Sequence, residues 1–170
     1  MQTDESPALP FSIRRATAGD AHVLAHHRAA MFRDMGTLRP EDYDALRDAV
    51  CPWFAEAIPA GEYVAFVATP GDRPGEIVGG AGMQLRRLLP RPRADGAGVE
   101  LRPQALVMNV YTEPAWRRRG LAALLMEQVL AWARDHGVGG MVLHASDEGR
   151  PLYERLGFVA NNEMRYTGPL

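Results

Sequence analysis

The feature that most constrains the fold is a strand, a turn, a helix and a second strand that follow one another between residues 104 and 143. The apolar run 104–111 ends before Pro114, which has no N–H to donate to a sheet ladder. A helical pattern comes next and stops at Gly137, and residues 141–143 form a short apolar strand. One face of the helix carries Leu121, Leu124, Leu125, Val129 and Trp132. This order predicts a right-handed crossover between two parallel strands.

The residues on either side of this unit predict an α/β fold with a mixed sheet. We expect strands over 11–14, 62–69 and 76–85, helices over 22–33, 40–54 and 148–156, and closing strand structure over 158–167. Together they predict a central twisted sheet of about six or seven strands flanked by about four helices. In strand 76–85, Gly79, Gly80 and Gly82 indicate a bulge or a close approach of the backbone to another group.

The composition is that of a folded globular protein. Its 170 residues, 46% of them hydrophobic, fit one domain over 11–170 that follows a flexible leader over 1–10. The formal charge of −2 argues against nucleic acid or a membrane surface as partner.

Cys51 is the single cysteine, so no intrachain disulfide can form. With no signal-peptide pattern and no apolar run near ~18 residues, we expect a cytoplasmic protein, and a homodimer is left open.

The turn before the strongest helix is the most informative stretch for function. A helix start exposes about four N–H groups that lack partners within the helix. A serine, threonine, aspartate or asparagine usually caps one of them, but here Arg117, Arg118, Arg119 and Gly120 precede the helix. The helix dipole, the small glycine and the arginines together favour a bound anion. An exposed basic patch is the alternative, and the Walker and Rossmann glycine patterns are absent here.

Two motifs resemble those of the GNAT N-acetyltransferases, and the chain is similar to small bacterial-type, single-domain members of that superfamily. The run Arg-Arg-Arg-Gly-Leu-Ala over 117–122 is similar to the family's Arg/Gln-x-x-Gly-x-Gly/Ala motif, and it follows a strand that ends in 109–111. The run Leu-Tyr-Glu-Arg-Leu-Gly-Phe over 152–158 is similar to a downstream segment of the family. Either motif alone is a weak signal, but both in this order and on the expected elements are a strong one.

The resemblance implies acetyl-CoA as cosubstrate, held in the opening of a splayed sheet. In the family, main-chain groups of the strand hold the pantetheine arm, one amide faces the acetyl oxygen, and amides of the turn hold the pyrophosphate. The residues carried over are Asn109, Val110 and Tyr111 for the arm and Arg117, Arg118, Arg119, Gly120, Leu121 and Ala122 for the pyrophosphate. Ser146 stands where many relatives have an asparagine that binds the cofactor, and Gly149 where they often have alanine.

The resemblance also implies direct acetyl transfer to a primary amine in a ternary complex. Tyr153 is assigned as the acid that protonates the departing thiolate, and a core aromatic is the alternative for this residue. The base is left open. The candidates at the strand ends are Glu113, His144, Asp147 and Glu148, for which solvated or capping charges are the simpler interpretation.

The acceptor and other ligands are less constrained. In the family the acceptor lies near the first two helices, which here would expose Met31, Phe32, Asp34, Met35 and Tyr43. A small-molecule amine is favoured over a protein amine. No metal is expected, because the adjacent His26 and His27 face different ways on a helix. A module of the same fold that senses acetyl-CoA without catalysis is the alternative function.

Overall fold

The computed structural model describes residues 11–168, which contain four α-helices and two sheets. The strands are β1 (Phe11–Arg15), β2 (Tyr63–Pro70), β3 (Gly79–Arg86), β4 (Arg91–Pro92), β5 (Val99–Glu100), β6 (Gln104–Thr112) and β7 (Gly140–Leu143). The helices are α1 (Ala21–Asp34), α2 (Tyr43–Ala57), α3 (Leu121–Asp135) and α4 (Arg150–Arg155). The leader expected over 1–10 lies outside the described residues. None of these helices is long and apolar enough to span a membrane.

The main sheet has five strands in the order β1-β2-β3-β6-β7. Neighbouring strands are antiparallel except β6 and β7, which are parallel, as the pattern between residues 104 and 143 predicts. The predicted fold class, a mixed α/β sheet flanked by four helices, is therefore confirmed. β4 and β5 pair with each other as a separate two-stranded sheet in the connection between β3 and β6.

Apolar side chains fill a core on each face of the main sheet. On one face, α3 contributes Leu125, Met126 and Val129, all fully buried, to a core shared with β2, β3 and β6. On the other face, Leu24 of α1 and Phe54 of α2 are buried with β2 residues. The alternation of strand side chains between the two faces explains both cores. It also places α1 and α3 on opposite sides of the sheet.

The start of α1 is fixed by an ion pair. Both carboxylate oxygens of Asp20 accept hydrogen bonds from the Arg14 guanidinium at 2.8 Å, and one of them accepts from Thr17 N at 2.8 Å. The hydrogen bond from Arg14 is the main reason that the pKa of the Asp20 carboxyl falls to about 2. Thr17 and Asp20 form a capping box before α1, so these contacts anchor the start of α1 to the end of β1.

The expectation of closing strand structure over 158–167 is wrong, and the main sheet has five strands rather than six or seven. Asn161 Oδ1 accepts from Glu163 N at 3.0 Å, a local turn that competes with a sheet ladder. Val159 and Met164 are 87% and 93% exposed, so the apolar residues that suggested a strand cover no core in the described chain. A strand needs a neighbour to be stable, and 158–168 has none among the described residues.

The glycines of β3 mark a close approach, one of the two alternatives that their placement predicts, and they lie opposite a bulge in β6. The register between β3 and β6 shifts between Gly80 and Gly82. A Cβ on Gly82 would lie 2.2 Å from the hydroxyl oxygen of Tyr63, and a Cβ on Gly80 would lie 3.2 Å from His27 Nδ1. Both neighbours are fully buried, so they have little room to move.

Gly82→Ala is therefore expected to lower the free energy of unfolding by about 1–3 kcal/mol, because the added methyl group would overlap the buried Tyr63 side chain. Gly75→Ala is the control, since a Cβ there meets nothing within 4 Å. It is expected to change the stability by no more than about 0.5 kcal/mol. Denaturant unfolding measures both variants, and equal stabilities would contradict the packing described here.

Candidate active site

A cleft opens where β6 and β7 stop pairing. The two strands are in register from Gln104 opposite Gly140 to Val107 opposite Leu143, and the pairing ends there. β6 continues to Thr112, paired with β3 on its other edge. Within residues 11–168, the edge of β6 over 108–112 therefore faces the segment after β7 with no strand between them. This is the opening between splayed strands that the resemblance implies.

A bulge in β6 turns the backbone at this opening. Because of the register shift between Gly80 and Gly82, Asn109 and Val110 together stand opposite a single residue of β3. Asn109 has a φ of 63°, in the left-handed region. Its side chain is buried, and its Nδ2 donates to the main-chain oxygen of Leu24 at 3.1 Å. The bulge thus changes the direction in which the main-chain groups of β6 point, and the Asn109 side chain connects this segment to α1.

The turn between β6 and α3 presents backbone N–H groups that have no partner among the described residues. Arg118 and Gly120 have φ values of 63° and 77°, both left-handed, with Arg119 between them. No side chain caps α3, and its first backbone hydrogen bond runs from Leu124 N to Gly120 O at 3.2 Å. The N–H groups of 118–123 can therefore bind an anion at a positive helix end. We call this segment, 118–123, the anion cradle.

The three arginines before α3 take different positions. Arg117 Nε donates to a main-chain oxygen of β6 at 3.0 Å, and its guanidinium also binds the carboxylate of Asp34 at the end of α1. Arg119 lies over the ring of Trp116, 4.8 Å from its centroid. Arg118 is exposed and forms no hydrogen bond or ion pair within residues 11–168. The Arg117 side chain therefore joins the turn to α1, and Arg118 and Arg119 are the cations nearest to the anion cradle.

Tyr153 lies in α4, on the β7 side of the cleft. The turn into α4 is held by Ser146, whose Oγ accepts from Gly149 N at 3.2 Å. Tyr153 is half-buried against Phe158, with ring centroids 6.0 Å apart, and its hydroxyl forms no hydrogen bond within the described chain. Burial raises the pKa of Tyr153 and keeps the phenol protonated at neutral pH. A Cβ on Gly149 would lie 3.0 Å from the Tyr153 ring, so glycine leaves room for this side chain.

Three hydrogen-bonded side chains connect α2, α1 and the end of β6. The Tyr43 hydroxyl lies 2.5 Å from His26 Nδ1, and His26 Nε2 lies 2.8 Å from Glu113 Oε1. Because a carboxylate only accepts, Nε2 carries the hydrogen, and with the proton on Nε2 alone Nδ1 accepts from Tyr43. The side chains of His26 and Glu113 are 41% and 28% exposed, so a ligand can reach them. Burial raises the pKa of Tyr43, which keeps its hydroxyl a donor.

His27 has a different environment from His26. It is fully buried, its ring centroid lies 5.2 Å from that of Tyr111, and neither ring nitrogen has a hydrogen-bond partner. Burial lowers the pKa of His27 to about 3. The ring is therefore neutral at physiological pH, and its 3.8 Å approach to Glu113 is a contact rather than an ion pair. Among residues 11–168, no three histidine, cysteine or acidic side chains form a group that could hold a metal ion.

The other polar candidates have their own contacts. His144 Nε2 lies 2.8 Å from Glu163 Oε1, and both side chains are exposed. Asp147 and Glu148 are exposed and form no ion pair in the described part of the chain. Burial would raise the pKa of Asp34, but hydrogen bonds from Arg117 and Arg33 outweigh it and lower the pKa. Asp34 is therefore an anion that fixes the turn after β6.

Sequence reasoning named Glu113 as a strand-end acid, but it did not connect Glu113 with His26 or Tyr43. No spacing in the sequence joins positions 26, 43 and 113, which meet only because α1 and α2 pack over β6. Polar residues on one face of each predicted helix were the available signal, and it was too general to pair them.

Comparisons with known proteins agree with this geometry. The sequence matches the Acetyltransferase (GNAT) family over residues 24–158. The chain therefore belongs to the GNAT acetyltransferases, a family of acyltransferases, and the recognition of its two motifs is confirmed. No curated protein matches the sequence.

Several solved structures share the fold. A GCN5-related N-acetyltransferase from Ralstonia eutropha JMP134 is 28% identical, with a TM-score of 0.80 over 94% of this chain and 98% of that one. A predicted acetyltransferase from Clostridium acetobutylicum, with acetyl-CoA, is 21% identical, with a TM-score of 0.77 over 93% and 96%. The aminoglycoside N-acetyltransferase AAC(6')-Iy, in complex with CoA, is 19% identical, with a TM-score of 0.65 over 94% of each chain.

Proposed function

We propose that this protein transfers the acetyl group of acetyl-CoA directly to a primary amine of a small molecule, in a ternary complex. The observation that carries the proposal is the cleft between β6 and β7, which has the anion cradle after β6 and the unbonded hydroxyl of Tyr153 on the β7 side. Family membership and the similar structures that contain acetyl-CoA or CoA support it.

The residues present fit this cosubstrate. The free N–H groups of 118–123 and the cations of Arg118 and Arg119 suit a pyrophosphate. The unpaired edge of β6 over Asn109, Val110 and Tyr111 offers main-chain groups to the pantetheine arm, which itself contains amides. Ser146 Oγ accepts from a backbone N–H, and its own hydroxyl hydrogen can still be donated. Acetyl-CoA would supply the acetyl group as a reactive thioester.

The protein's own groups would carry out two tasks in the reaction. A main-chain N–H of the bulge at Asn109 and Val110 would donate to the acetyl oxygen, where negative charge develops, and a fixed donor of this kind lowers the barrier. The Tyr153 hydroxyl would donate its proton to the departing sulfur, since the phenol is protonated at neutral pH. No side chain needs to act as a nucleophile.

A small-molecule amine is the acceptor that the cleft favours. The mouth of the cleft on the α1 side carries the half-exposed Tyr43 and the carboxylate of Glu113, which suit an ammonium group. AAC(6')-Iy, whose name gives an aminoglycoside as substrate, supports an acceptor of this class. Protein amines are the alternative that an acceptor screen would identify.

CoA and acetyl-CoA are expected to raise the melting temperature. A ligand bound only by the folded state adds about 2.7 kcal/mol at a hundredfold excess over Kd, which corresponds to roughly 5–10 °C for a chain of this size. NAD and ATP are expected to give much smaller shifts, because they lack the pantetheine arm that would lie along β6. Thermal unfolding measures all four, and no shift at millimolar CoA would contradict the proposal.

A further inference from the structure

We propose that Tyr43, His26 and Glu113 form a relay that removes the proton from the acceptor amine. This inference rests on the proposed function. An alkylammonium has no lone pair, so it must lose a proton before it can attack a thioester. Residues 104–110 of β6 contain no acid or histidine that could take this proton. The relay is the hydrogen-bonded titratable cluster on the α1 side of the bulge.

Contacts of α1 place the relay beside the proposed acetyl site. Leu24 O accepts from Asn109 Nδ2 at 3.1 Å, so this turn of α1 lies directly on the bulge. Two residues further along α1, the His26 ring packs edge-on against the Tyr111 ring, with centroids 6.5 Å apart. His26 therefore lies beside the β6 segment over 109–111, separated from its backbone by the Tyr111 side chain. The exposed part of the His26 ring faces solvent.

The hydrogen bonds determine the direction in which a proton moves. Both nitrogens of His26 are engaged, but the Tyr43 oxygen has lone pairs that can accept from an ammonium. The ammonium N–H bond breaks as its proton bonds to the Tyr43 oxygen, and the original Tyr43 proton moves to His26 Nδ1. The products are a neutral amine, a neutral phenol and an imidazolium, whose charge the Glu113 carboxylate stabilises at 2.8 Å.

Two neighbours of His26 stay uncharged at neutral pH. His27 stays neutral because it is buried, and burial also raises the pKa of Tyr111. Glu113 is the carboxylate in contact with the ring, and the Arg33 guanidinium lies 5.3 Å from the centroid of the Tyr43 ring. The titratable and charged groups that face the relay are His27 and Arg33 of α1, Asp44 and Arg47 of α2, and Tyr111 of β6.

The test is the pH dependence of kcat/KM for CoA release from acetyl-CoA, with kanamycin, spermidine and tyramine as probe amines. His26→Gln is expected to lower kcat/KM about 100-fold near pH 7, a typical loss for a general base. The loss is expected to shrink at high pH, where the amine is already neutral. Glu113→Gln is expected to lower kcat/KM less than His26→Gln does, with the same dependence of the loss on pH. Added imidazole is expected to restore part of the activity of His26→Ala.

His22→Gln is the matched control, because His22 lies one turn earlier on α1, is exposed, and its side chain forms no hydrogen bond within residues 11–168. Its profile is expected to stay within about twofold of the wild type. Tyr43→Phe, which keeps the ring, decides the outcome if His26→Gln fails to fold. It is expected to show the same loss near neutral pH.

The possible outcomes separate the relay from the proposed function. If the wild type acetylates an amine and the folded His26→Gln or Tyr43→Phe variant keeps its pH profile, the relay is overturned and the proposed function stands. If the wild type releases no CoA with any of the amines, the proposed function and the relay both fall. Parallel loss at every pH, without rescue by imidazole, would show that His26 is structural and would also overturn the relay.

Discussion

Tyr153→Phe is expected to lower kcat at least ~100-fold while the Kd for acetyl-CoA changes little. The substitution keeps the ring, which packs against Phe158, and removes only the hydroxyl that would protonate the leaving sulfur. The phenol is protonated at neutral pH, because burial raises its pKa, and it can donate to a thiolate whose conjugate acid has a pKa near ~8.5. Steady-state thiol release and calorimetric binding measure the two quantities.

Tyr63→Phe is the control for the loss of a tyrosine hydroxyl. Tyr63 is fully buried in the core below α1 and α2, and its hydroxyl has no hydrogen-bond partner. Its kcat is expected to stay within about twofold of the wild type, since the hydroxyl touches no part of the cleft. A Tyr153→Phe turnover within about threefold of wild type would show that another group supplies the proton. Single-turnover rates must confirm that chemistry limits kcat.

The second large effect is expected at the anion cradle. Gly120→Glu is expected to weaken CoA binding about 100-fold, because it places a negative side chain where the pyrophosphate would bind and loses charge-assisted hydrogen bonds. A Cβ at Gly120 meets nothing within 4 Å, so the variant is expected to fold. Its stability is expected to fall by only about 1 kcal/mol, the usual cost of a left-handed residue other than glycine.

Gly137→Glu provides a matched comparison at the other end of α3. Gly137 also has a positive φ, 67° against 77° at Gly120, and a Cβ there likewise meets nothing within 4 Å. The two variants therefore carry the same charge and a similar backbone cost. CoA binding is expected to be lost only in Gly120→Glu. Equal affinities in the two variants would refute the cradle, and a collapsed Gly120→Glu protein would show that Gly120 is needed for folding.

Local patterns predicted the part of the fold that surrounds the cleft. In the run from β6 through α3 to β7, the helix has a strong helical period, and a proline and a glycine mark its boundaries. Few other folds are compatible with this pattern. The glycines of β3 correctly indicated a close approach of the backbone, which is the tight contact with Tyr63, and the bulge beside them lies in β6. The first of these features depends on neighbours in sequence and the second on the small size of glycine, so the sequence alone could indicate both.

Features that depend on distant contacts could not be predicted in the same way. The run 158–167 has strand-like residues, but a strand forms only beside a partner, and none is present within the described chain. The contact between the Arg117 guanidinium and Asp34 spans 83 residues. The contact between His26 and Glu113 spans 87 residues. Such pairs exist only once α1 has packed on β6.

Transfer of an isotopically labelled acetyl group tests the central claim most directly. The purified protein is incubated with carbon-13 acetyl-CoA and a panel of small primary amines, and the amines and the protein are examined by mass spectrometry. The expected result is label on the nitrogen of at least one amine, with none bound covalently to the protein. CoA binding without label on any amine would identify a sensor of acetyl-CoA instead, and it would contradict the proposal of a small-molecule N-acetyltransferase.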